Sequence, residues 1–134
     1  MNHEERRKRI NASEVGAIMG IDLYRTPLEV WQEKMGIVPP FEGNEHTERG
    51  KFMEPYALYR IAQDLGGKVS PNVANAICPN NDLFSATPDG LFFGESHEGV
   101  EVKTTLFRVQ SLSELEDMKL PWVWQCRFGM LCTG

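Results

Sequence analysis

Residues 83–105 constrain this chain more than any other segment. Leu83–Thr87, Leu91–Phe93 and Val100–Thr105 are short runs rich in β-branched and aromatic residues, and turn residues separate them. Gly94-Glu95-Ser96-His97-Glu98-Gly99 reads as a hairpin loop, so the last two runs pair antiparallel. Two further strand-like runs lie upstream, Lys68–Ser70 and Ala74–Cys78. An isolated hairpin is marginal in water, so these strands need helices packed on them.

The helices carry start and stop signals on both sides of the strands. Asn11-Ala12-Ser13-Glu14 has the spacing of a capping box; Val15, Ile18 and Met19 follow as an apolar face, and Gly20 ends the helix. Thr26-Pro27-Leu28-Glu29 is a stronger start, with Leu28, Trp31 and Met35 on one face and Gly36 as the stop. A longer helix is predicted from about Thr47 to Leu65, with Phe52, Tyr56, Tyr59 and Ala62 on one face and a kink or restart at Pro55, beside Glu54. A short helix over Ser113–Met118 and a last one beginning near Pro121, with Trp124, Phe128 and Leu131 aligned, complete the pattern. Helices, then strands, then helices predict an α/β fold with a small mixed sheet. The 134 residues suit one domain, 1–134, helical over 1–65 and strand-bearing over 66–134.

Composition removes several classes. With 41% apolar and 25% charged residues the chain is neither disordered nor fibrous. No apolar run approaches the roughly 20 residues of a membrane span, and the charged start has no apolar core behind it, so no signal peptide is expected. Cys78, Cys126 and Cys132 lack paired spacing, which predicts free thiols, buried for Cys126 and Cys132, and a reducing cytoplasm. His3, His46 and His97 are scattered and do not suggest a metal site. The net charge of −5 argues against nucleic acid.

The chemistry-bearing stretch points the other way. Thr87-Pro88-Asp89-Gly90 is followed twelve residues after Asp89 by Glu101-Val102-Lys103. Alone, Pro-Asp-Gly is a turn. On a strand, however, Glu101 and Lys103 share a face while Val102 faces the core. An acid ending one strand and an acid-x-Lys on its partner can converge on one divalent cation, and hard oxygen ligands suit Mg²⁺ or Mn²⁺. Lys103 then stands where it can hold or deprotonate a water.

Pro88-Asp89…Glu101-Val102-Lys103 resembles the PD-(D/E)XK nuclease signature. Arg6…Ile10-Asn11-Ala12-Ser13-Glu14-Val15 and Tyr24-Arg25-Thr26-Pro27-Leu28-Glu29-Val30-Trp31 resemble the N-terminal motif of the YqaJ-like viral recombinase family, relatives of phage lambda exonuclease. Arg49-Gly50-Lys51-Phe52-Met53-Glu54-Pro55 resembles its acidic helix motif, and Trp124-Gln125 its late helix. The resemblance implies a restriction-endonuclease-like core, incomplete at its C-terminal side. It implies Asp89, Glu101 and the Val102 carbonyl as ligands of two Mg²⁺ or Mn²⁺ ions, with Glu54 completing the acidic site. Lys103 is implied as catalytic lysine, Gln125 as an orienting residue, and Arg6 and Ser13 as the grip on a DNA 5′-phosphate. Asp82, the acid upstream of Pro-Asp-Gly, is out of register and is given no metal role.

The activity so implied is 5′→3′ exonuclease digestion of linear double-stranded DNA ends in phage-type recombination, within the cytoplasm of a bacterial or phage-infected cell. Homotrimeric rings and a single-strand annealing protein are the implied partners, without a membrane. An endonuclease of the same fold, or a non-cleaving DNA-binding remnant, are the alternatives. The acidic balance then becomes compatible with DNA, because bound divalent ions reverse its sign locally.

Overall fold

Side-chain caps set the starts of the helices at Pro27, Glu45 and Leu112. In the computed structural model, which describes residues 3–71 and 73–134, Thr26 Oγ1 accepts the Glu29 N–H at 3.2 Å. The Glu29 carboxylate accepts the Thr26 N–H at 2.7 Å. This reciprocal pair opens a helix over Pro27–Lys34, and Gly36, at φ 73°, closes it. The long helix, Glu45–Leu65, begins two residues before the expected Thr47, because Asn44 Oδ1 accepts from the His46 and Thr47 N–H groups at 3.0 and 3.1 Å. It runs through Pro55 without the expected restart and ends at Gly66 in the left-handed conformation.

In chain order the elements are α1 (His3–Arg7), β1 (Ile10–Asn11), a 3₁₀ turn (Ala12–Glu14), α2 (Val15–Ile18), α3 (Pro27–Lys34), α4 (Glu45–Leu65), β2 (Lys68–Pro71), β3 (Ala76–Ile77), β4 (Phe84–Ala86), β5 (Gly90–Phe93), β6 (His97–Val100), α5 (Leu112–Met118) and α6 (Leu120–Thr133). They form two three-stranded sheets. One is mixed, in order β1-β4-β3, with β1 parallel and β3 antiparallel to β4. The other is antiparallel, in order β2-β5-β6.

The residues fall into two compact units that alternate along the sequence. The first comprises the chain up to Pro40, Asn75–Thr87 and Arg108–Gly134; the second, Phe41–Ala74 and Pro88–Phe107. The first contains the mixed sheet with α1, α2, α3, α5 and α6, and its core joins Ala12, Cys78, Ala86 and Cys132. Phe84 and Phe128 pack on that core, their ring centroids 5.1 Å apart. Gly16 permits the close approach of α2 to α6, since a Cβ there would lie 2.6 Å from Pro121 Cβ. The second unit places α4 on the antiparallel sheet, with Leu58, Phe92 and Val100 buried and Ile61, Val69 and Val102 packed around them. Gly90 is needed there for space, since a Cβ would come within 2.8 Å of Val69 Cγ1 and 3.0 Å of Leu58 Cδ2.

Three further expectations change. The strand expected over Val100–Thr105 lies instead at His97–Val100, and the hairpin loop contracts to the residues between Phe93 and His97. Register explains this: Gly90, the first residue of β5, already faces Val100. Residues beyond Val100 would need to pair with Asp89 and Pro88, and proline has no N–H to give. Second, Cys126 is exposed, whereas Cys78 and Cys132 are buried. Third, several apolar faces lie open. Val30, not Leu28, Trp31 or Met35, is the buried side chain of α3, and Leu58 is that of α4, where Phe52 is 82% exposed and Tyr56 and Tyr59 more than half so. Ile18, Met19 and Leu131 are exposed as well. Among the described residues, no helix is long and apolar enough to cross a membrane.

Candidate active site

Asp89, Glu101, Val102, Lys103 and Glu54 all belong to the second unit. Asp89 sits just before β5, in the link from β4. Its Oδ2 accepts the Val102 N–H at 2.7 Å. This charge-assisted bond replaces the ladder bond that the missing strand pairing would have supplied, and it fixes the 101–103 segment against Asp89. Val102 packs its half-buried side chain against the Leu58–Phe92–Val100 cluster, on the core side as expected. Glu101 and Lys103 flank it and form an ion pair of 2.8 Å, so they do share one side although no strand holds them.

Glu54 reaches the site from α4. Leu58, one turn further on, is buried, so Glu54 projects from the core-facing side of the helix. Gly50, one turn earlier, faces Thr104, whose Oγ1 would lie 3.5 Å from a Cβ at residue 50. Burial pushes the Glu54 carboxyl above the ordinary carboxylate range, and the nearby Asp89 charge pushes it further, while Lys103 and Lys51 oppose the rise. Among the described residues, no three His, Cys, Asp or Glu side chains gather as a metal cluster. Like charges repel, and here Asp89 is bound to a backbone N–H and Glu101 to Lys103. The donor chemistry still fits a hard cation, because Mg²⁺ is commonly held by one or two carboxylates with waters and substrate phosphate oxygens. Glu54 and Asp89, near enough for the Asp89 charge to be felt at Glu54, would supply such carboxylates.

The remaining site residues, Arg6, Ser13 and Gln125, belong to the first unit. Gln125 lies half-buried in α6. Ser13 is exposed within the 3₁₀ turn, and its Oγ accepts from the Arg6 guanidinium at 3.2 Å, so the two residues paired by the sequence motif meet. Asp82 belongs to this unit too, where its backbone carbonyl accepts from Arg9 Nε at 3.0 Å. Beneath Arg6 and Ser13 lies a residue that the sequence did not single out. Lys34, at the end of α3, pairs with the buried Glu14 at 2.8 Å. Nothing local in the sequence marks it, since its partner lies twenty positions away.

Comparison with known proteins gives a consistent result. The YqaJ-like viral recombinase domain matches residues 3–134. The uncharacterized protein YqaJ of Bacillus subtilis (strain 168) is 32% identical over 118 residues, covering 87% of this chain and 36% of that protein. The crystal structure of an alkaline exonuclease, LHK-Exo, from Laribacter hongkongensis superposes with a TM-score of 0.68 at 25% identity, over 96% of this chain and 66% of that one. LHK-Exo in complex with dAMP gives the same TM-score at 23% identity, over 98% of this chain and 67% of that one. The chain thus spans about a third of the curated relative and about two thirds of the solved structures, with whose restriction-endonuclease-like fold it agrees. By the extent of the domain match and by fold, the chain belongs to the YqaJ-like viral recombinase family.

Proposed function

We propose that this chain forms the nuclease core of a Mg²⁺-dependent 5′→3′ exonuclease that digests linear double-stranded DNA during recombination. The observation that carries the reading is Asp89 tied to the Val102 N–H between the paired Glu101 and Lys103, with Glu54 in the same unit feeling the Asp89 charge. Its support from outside is the likeness to an alkaline exonuclease. Glu54, Asp89 and Glu101, with the Val102 carbonyl, would hold one or two Mg²⁺ or Mn²⁺ ions. Such ions supply Lewis-acid stabilisation of the scissile phosphate and acidify a water. Lys103 has the charge and the donors to hold and orient that water. Gln125 orients groups near the nucleophile on the same reading, and Arg6 with Ser13 binds the 5′-phosphate of the DNA end. A ring of three copies, an annealing protein as partner and a cytoplasmic site of action complete the proposal, on the strength of the family resemblance.

The test is digestion of one plasmid in linear and closed-circular form, with Mg²⁺ and with EDTA. Release of nucleotides from the linear form alone, lost in EDTA and in Asp89→Asn and Lys103→Ala, is the expected outcome. Cutting of the closed circle would make the protein an endonuclease. Binding without Mg²⁺-dependent cleavage would make it a DNA-binding remnant.

A further inference from the structure

The Arg6–Ser13 contact rests on a short element. α1 has five residues, too few to be stable by backbone bonding alone. Carbonyls in its last turn and just beyond need outside donors, and two side chains supply them. Lys34 Nζ donates to the Arg6 carbonyl at 3.1 Å and to the Arg9 carbonyl. Asn11 Nδ2 donates to the same two carbonyls at 3.0 and 3.3 Å. Lys34 gives its remaining proton to Glu14 Oε2 at 2.8 Å. Glu14 is buried and also accepts the Asn11 N–H at 2.9 Å and its side-chain amide at 3.2 Å. The tie is reciprocal, for Arg7 Nε donates to the Lys34 carbonyl at 3.1 Å. Asn11 in turn is held to β4 by the fully buried Ser85, whose hydroxyl donates to Asn11 Oδ1 at 2.9 Å.

The geometry points to Lys34 and Glu14 as positioning residues for 5′-phosphate recognition. Neither side chain is offered to the ligand. Lys34 spends its donors on the backbone of Arg6 and Arg9 and on Glu14, and Glu14 adjoins Ser13 in sequence. One ion pair therefore fixes both halves of the grip, the backbone from which the Arg6 guanidinium extends and the turn that presents the Ser13 hydroxyl. A charged pair is suited to this because removing one partner leaves the other buried and uncompensated, so alternative placements of α1 are disfavoured. This inference rests on the proposed role of Arg6 and Ser13.

The experiment measures equilibrium binding, in EDTA, of two fluorescent duplexes of one sequence, one with a 5′-phosphate and one with a 5′-hydroxyl. Wild type is expected to prefer the phosphorylated end by about tenfold, the value of one good charge-assisted bond. Lys34→Met and Glu14→Gln should each reduce the preference below about threefold, while Lys34→Arg keeps most of it. Circular dichroism identifies variants that remain folded. Should Lys34→Met not fold, the milder Glu14→Gln, which keeps a polar acceptor for Asn11, decides alone. A folded variant with lowered melting temperature but an undiminished preference would overturn the positioning role and leave the Arg6–Ser13 grip intact. A wild type without any preference would instead remove the grip itself, and the inference with it.

Discussion

Gly16→Ala should destabilise the protein, although alanine is the better helix former. The added Cβ would lie 2.6 Å from Pro121 Cβ and 3.2 Å from Pro121 Cα, whereas carbon atoms rest at about 3.5–4.0 Å. Pro121 is a rigid ring in the first turn of α6, so relief requires α2 and α6 to separate by about 1 Å. Such overpacking costs up to about 3 kcal/mol. The helical preference of alanine over glycine returns about 1 kcal/mol, leaving a net loss of about 2 kcal/mol. With about 2.1 cal/mol/K per residue over 134 residues, the unfolding entropy is about 0.28 kcal/mol/K, so the melting temperature should fall by about 7 °C. Gly129→Ala is the matched control. It lies inside α6 with nothing within 4 Å of its would-be Cβ, and should raise the melting temperature by about 2–4 °C, for a gain of about 0.5–1 kcal/mol. Thermal unfolding by circular dichroism measures both. A Gly16→Ala protein as stable as wild type would refute the packing argument; a destabilised Gly129→Ala would refute the propensity argument.

Two other outcomes are expected. Because Glu54 is harder to ionise in the folded chain than in the unfolded one, its effect on stability favours folding below the ordinary carboxylate pKa and is lost as pH rises through the raised value. Glu54→Gln should therefore raise the melting temperature of the metal-free protein at pH 7 and leave it unchanged below about pH 4; equal stabilisation at both pH values would show that charge is not the cause. At pH 8 a disulfide reagent should modify Cys126 quickly, while Cys132, whose thiol burial and then Cys78 push up to about 11, and the buried Cys78 react only on unfolding. Two fast thiols instead of one would mean that the core around Ala12 and Ala86 opens in the native state.

Local signals were readable where both partners lie within a few residues. Thr26 with Glu29 and Asn11 with Glu14 placed their helices because the bonding groups are three positions apart, and Gly20, Gly36 and Gly66 ended theirs. Asn44 with Thr47 has the same spacing and starts the long helix two residues before Thr47. Asp89, Glu101 and Lys103 could be named from sequence, but the support for that segment could not. Its β-branched run reads as a strand, yet pairing stops at Val100 and the Asp89 side chain bonds Val102 instead. Periodicity likewise states which side chains share a helix face and not what covers that face. Leu28 with Trp31, and Phe52 with Tyr56, align as expected and lie open. Lys34 shows the same limit at the level of a single residue, for its partners come from α1 and from the turn after β1.

The interleaving of the two units has a consequence for synthesis. α6 packs on the 3₁₀ turn, α2, β3 and β4, so the first forty residues lack their main cover until the stretch after Arg108 has been made. Roughly 70 residues intervene, or about 3–14 s at 5–20 residues per second. The unit of α4 and the antiparallel sheet, by contrast, is fully translated by Phe107. On the ribosome, then, the acidic residues of the second unit are available for folding before the Arg6–Ser13 turn has its neighbours. A nascent chain held before the stretch after Arg108 has emerged would keep its N-terminal segment open to proteases.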